Sequence, residues 1–81
     1  MKQVQNVDVV ERALRSAVYA ANEHAATMRA VAVALRAGED VAMFATGEAG
    51  ARAADALAAE HDQFREDCLA ELAYLQEQDE E

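Results

Sequence analysis

Apolar residues recur at a spacing of seven along the first half of the chain. Val7, Leu14, Ala21, Met28 and Leu35 make one line, and Val10, Ala17, His24 and Val31 each stand three residues behind a member of it. Positions three, four and seven apart share one face of an α-helix. Val18 and Ala25 widen that face on its other flank. The pattern predicts a core-facing helix over about residues 8–37. Its expected start is Asp8 with Glu11, which have capping-box spacing, and residues 1–6 are expected to be frayed. A second run, Ala54, Leu57, His61, Phe64, Cys68, Leu72 and Leu75, advances by three or four residues at each step, with Leu69 beside it. It predicts a helix over about 47–78, with a frayed end at 79–81.

The breakers lie between the two runs. Proline is absent, and Gly38, Gly47 and Gly50 are the only glycines. Gly38 stands where a left-handed helix cap belongs, just after Arg36, whose charge suits a helix C-terminus. Residues 38–46 are therefore the expected turn. Val41, Met43 and Phe44 are too apolar for a free loop and are expected to tuck under the end of the bundle, in a short helical turn. Thr46 is the expected N-cap of the second helix, with Glu48 in its first turn.

The fold class that follows is all-α: an antiparallel two-helix hairpin forming a single domain over 1–81. Doubling back at the turn sets Leu35 against Gly50, Met28 against Leu57 and Ala21 against Phe64, with Leu14 beside Leu72. The expected seam is Val7, Val10, Leu14, Val18, Met28, Val31, Leu35, Leu57, Phe64, Cys68, Leu72 and Leu75. Composition makes this core thin. Alanine supplies 21 of the 81 residues, and isoleucine and tryptophan are missing. Alanine favours helix but buries little apolar area. Cys68 is the one cysteine, so no intrachain disulfide is available. Small chains gain stability by association, and one hairpin leaves a side of its seam uncovered. Homodimerisation into a four-helix bundle is expected.

Charge divides the chain. Residues 1–40 balance five acids with five cations, whereas residues 41–81 carry eleven acids and two arginines, so the whole net charge of −9 lies in the second half. That half repels nucleic acid and anionic membrane and attracts a basic protein. No apolar run approaches the roughly 20 residues of a membrane span. The first residues carry Asp8 and Glu11 and no continuous apolar stretch, so no signal peptide is expected and the protein is read as cytoplasmic.

Catalytic chemistry finds little support, and neither an enzyme nor a cofactor is expected. The hairpin register sets His24 level with His61, and each follows a glutamate, Glu23 and Glu60. Two histidines and two acids could hold a metal in a helical bundle. Adjacent residues on a helix point about 100° apart, however, so a Glu-His dipeptide cannot aim both groups inward. Thr27, three residues past His24, is the one hydroxyl with a base at helical spacing. Gly47-Glu-Ala-Gly50 lacks the lysine and the strand of a phosphate loop. Cys68 reads as a small core residue.

The candidate partner-binding residues are the acids Asp55, Asp62, Glu66, Asp67, Glu71 and Glu77, of which Glu71 is expected to meet Arg12 and Arg15 across the hairpin. Carboxylates spaced along a rod can imitate nucleic-acid phosphates. The leading expectation is thus a small acidic modulator that masks a basic, nucleic-acid-binding type surface of another protein. In this it resembles phage counter-defence proteins.

A two-helix hairpin with Ala45-Thr46-Gly47 at its turn also resembles the WXG100 family of small secreted proteins, whose turn carries Trp-X-Gly. Tryptophan is absent here, and Gln78 stands where that family's C-terminal signal has an acid four residues after tyrosine, here Tyr74. The resemblance implies a secreted or structural hairpin that binds through its apolar seam. A metal-binding bundle through His24 and His61 is the third reading.

Overall fold

The computed structural model describes residues 2–79, with side chains described from Val7 to Gln78. Two helices make up the chain: α1, Lys2–Arg36, and α2, Gly47–Asp79. They pack against each other antiparallel as an all-α hairpin measuring 56 × 17 × 13 Å. Two expected boundaries move. Helix α1 is already formed at Lys2, so Asp8 and Glu11 lie inside it and do not cap it. Helix α2 continues through Asp79, whereas the remainder of the expected frayed ends, Met1, Glu80 and Glu81, lies outside the described residues.

The turn follows from local chemistry. Gly38 adopts φ +95°, the left-handed region that glycine enters without steric cost. The Gly38 N–H donates to the Leu35 carbonyl at 3.1 Å and the Glu39 N–H to the Ala34 carbonyl at 3.0 Å. This pair of bonds is the Schellman closure, which satisfies carbonyls left open at the end of a helix. Next, the Phe44 N–H donates to the Val41 carbonyl at 3.2 Å, closing a β-turn. Val41 and Phe44, at its two ends, pack against the core as expected. Met43 does not: it is fully exposed, at φ +74°. It occupies the third position of the turn, which points away from the core and favours positive φ.

Inside the hairpin, Ala32, Leu35, Ala51 and Ala54 form the tightest cluster, and among the described residues Leu35 is the one large side chain buried almost completely. Gly50 enables the approach. A Cβ there would lie 1.7 Å from the Ala45 carbonyl oxygen and 3.1 Å from Leu35 Cδ1. The expected register of Leu35 on Gly50 therefore holds.

The faces are turned relative to expectation. The buried or half-buried positions of α1 are 7, 11, 14, 17, 18, 21, 25, 28, 31, 32, 34 and 35, and the fully buried ones are 21, 25, 32 and 35. The line of Val10, Ala17, His24 and Val31, expected at the centre, is a flank, and the line of Val18, Ala25 and Ala32 takes its place. In α2 the buried or half-buried positions are 47, 50, 51, 54, 58, 61, 62, 65, 68, 72 and 75. Leu57 and Phe64, expected in the seam, are displaced to the side, 38% and 52% exposed. Ala58 and the half-buried Arg65 stand in the interior line instead. The physical reason is close approach. Where Ala21, Ala25, Ala32, Ala51, Ala54 and Ala58 line the contact, the gap admits small side chains only, and leucine or phenylalanine must pass to one side. Cys68 and Leu72 remain buried as expected.

Candidate docking surface

Turning the faces gives the hairpin two unlike long edges. On one, α1 contributes Arg15, Asn22, Arg29 and Arg36, seven residues apart, and α2 contributes Glu48, Asp55 and Asp62, also seven apart. Arg36 Nε and Nη2 donate to the Glu48 carboxylate at 3.0 and 3.1 Å, and Nη2 lies 2.9 Å from Asp55 Oδ2. Arg29 pairs with Asp62. Arg65 Nη1 donates to Asn22 Oδ1 at 2.9 Å, while its Nη2 meets Glu66 Oε2 at 2.9 Å. Arg52 adds a second cation to Glu48 at 3.5 Å. The hydrogen bonds from Arg36, ahead of its charge, hold the Glu48 carboxyl below the usual glutamate range. The same bonds, to Glu48 first and then Asp55, raise the pKa of Arg36 above its ordinary value. Exposed ion pairs contribute little stability each. Spaced along an edge, they hold the two helices in one register.

These pairs change the acidic face expected from the sequence. Of its six carboxylates, Asp55, Asp62 and Glu66 are held by arginines. Asp67 accepts from Gln63 at 3.0 Å. Arg15 does not reach Glu71 across the hairpin; it lies 3.8 Å from Glu11 on its own helix. The heptad spacing of Arg29 and Arg36, opposite that of Glu48, Asp55 and Asp62, was the signal in the sequence for this edge.

The other edge is apolar. Between the helices runs an open groove of about 510 Å³, lined by Val9, Val10, Ala13, Leu14 and Ala17 of α1 and by Phe64, Asp67, Cys68 and Glu71 of α2. Phe64 stands three residues after His61 and four before Cys68, so it flanks the interior line and faces the gap. Val9 and Val10 are 56% and 44% exposed. Val10, Leu14, Phe64 and Cys68, all expected in a seam, meet here. Val9, Ala13 and Ala17 complete the groove although the sequence did not single them out as a binding surface; which flank of α1 borders the gap was set by packing.

Further along this edge the His24 and His61 rings meet edge to face, with centroids 5.0 Å apart. The two histidines are thus level, as the register requires. Among the described residues, no group of three or more histidine, cysteine or acidic side chains could hold a metal ion. The Thr27 hydroxyl donates to the Glu23 carbonyl of its own helix at 3.0 Å, an ordinary helix-internal bond rather than a partnership with His24. Glu77 is exposed near the end of α2, away from the groove lining. No described helix is long and apolar enough to cross a membrane.

No protein-family model, curated protein or solved structure matches this chain. Gly47, at the start of α2, takes φ +67°.

Proposed function

We propose that this protein is a non-enzymatic protein–protein interaction module whose working surface is the apolar edge, with acids at its rim. The observation that carries the reading is the groove at Phe64 and Val10, which has Asp67 and Glu71 in its lining and lies opposite an edge already closed by its own ion pairs. Exposed apolar concavities with a polar border are where proteins meet partners. Arginines already occupy three of the six acids of the anticipated charged face, so masking a basic surface by charge alone is the weaker reading. Of the remaining three acids, Asp67 and Glu71 line the groove and act together with it. Apolar contact supplies affinity, and the carboxylates select a basic partner.

The test is affinity capture from the native cell at physiological and at high salt, with the natural chain and with a Val10→Ser, Phe64→Ser variant of unchanged helicity. The natural chain should retain its partner at both salts, several-fold more weakly at the higher, and the variant should lose it at both. A partner that the variant keeps and high salt removes would return the function to the acidic face.

A further inference from the structure

We propose that the occupant of the groove is a single amphipathic α-helix of another protein, carrying lysine or arginine along the flank that meets α2; this rests on the interaction reading above. Three observations converge on it. The first is backbone chemistry. Both walls of the groove are helices, whose interior N–H and C=O groups are already bonded within each helix. An extended peptide would find no backbone partners here and would leave its own polar groups unpaired, whereas a helix arrives with its groups satisfied.

The second is spacing. The edge offers Val10 and Ala17 from α1 and Leu57 and Phe64 from α2, seven residues apart within each helix. Such a repeat presents holes in the order in which a third helix presents knobs. Alanines on the α1 side, Ala13 and Ala17, leave the depth for larger side chains from the incoming helix.

The third is charge, and it decides between a foreign helix and a second copy. The α2 wall carries Asp67 and Glu71, and Glu60 stands one turn before Phe64. Among the described side chains, no lysine or arginine lines the groove. Arg29, Arg36 and Arg65 are engaged on the opposite edge. Two copies stacked on this edge would set the carboxylates of one groove against a groove whose described lining has no cation, and like charges brought together at an interface are costly. A basic flank removes that cost and turns the wall into a selective feature.

The test uses the full chain and two designed helical peptides, each about three heptads long with the same leucine face. One has lysines on both flanks and the other has glutamates. Binding by titration calorimetry should favour the lysine peptide at least tenfold. Asp67→Lys with Glu71→Lys should reverse the preference, and Phe64→Asp should abolish binding of both peptides while circular dichroism stays unchanged. Equal binding of the two peptides by the natural chain would overturn the basic-helix assignment and leave the docking edge standing. Binding of neither peptide by a monomeric chain would overturn both. A dimer in sedimentation that Phe64→Asp splits into monomers would give the groove to a second copy.

Discussion

Along one edge of the hairpin, Arg29 and Arg36 reach across to Asp62, Asp55 and Glu48; along the other, Val10 and Phe64 flank an open groove with no cation among the described residues of its lining. Both edges come from the same seven-residue repeat and flank the same alanine-lined interior. They differ in what the flanking positions hold. Long charged side chains bridge a gap between helices with their ends in water, so the charged edge is complete within one molecule. Branched and aromatic side chains cannot bridge it without a third surface, so the apolar edge is incomplete. A small helical protein can therefore fix its own register with one edge and keep the other for a partner.

The largest effect should come from the floor that both edges share. Leu35→Ala removes the one large side chain that, among the described residues, is buried almost completely, and should cost about 2–5 kcal/mol, read from urea denaturation. Both edges should then open together, and the contrast between them should vanish. Gly50→Ala comes next. Its new methyl meets the Ala45 carbonyl and Leu35, so α2 must move off α1 at the turn, at about 1–3 kcal/mol in the same assay.

Acid should loosen the charged edge. The folded-state pKa of Glu48 lies below its unfolded value, so the contribution of its bonds to Arg36 is fully present above the ordinary glutamate range. It is lost as pH falls through the folded value. Thermal melts should show a modest acid-side drop in stability, and Glu48→Gln should flatten it. The smallest effect on folding belongs to the groove. Phe64→Ser alters a half-exposed ring and should lower unfolding free energy by about 1 kcal/mol. A loss on the scale of Leu35→Ala would make Phe64 part of the core and the two edges alike.

Much of this was legible in the sequence. The confinement of Gly38, Gly47 and Gly50 to one window marked the turn, and Gly38 closes α1 as its position implied. The match of Leu35 to Gly50 and the level placement of His24 and His61 followed from counting away from that turn. Other features were not legible. The capping-box spacing at Asp8 and Glu11 was a chance match inside a longer helix, because local capping signals say nothing of what precedes them. Met43, Val41 and Phe44 looked alike in hydropathy, and only the closure of the β-turn separated the exposed one from the two that pack.

The amino-acid order by itself determined two helices, one reversal and a register, because helix propensity, breakers and a seven-residue period are properties of the chain. It left two neighbouring apolar lines on α1, one through Ala17 and His24 and the other through Val18 and Ala25, without saying which faces inward. Packing made that choice. Helices that meet over alanine approach too closely for leucine or phenylalanine to lie between them. Leu57 and Phe64 were turned out to one edge, and Arg29 and Arg36 met their carboxylates on the other.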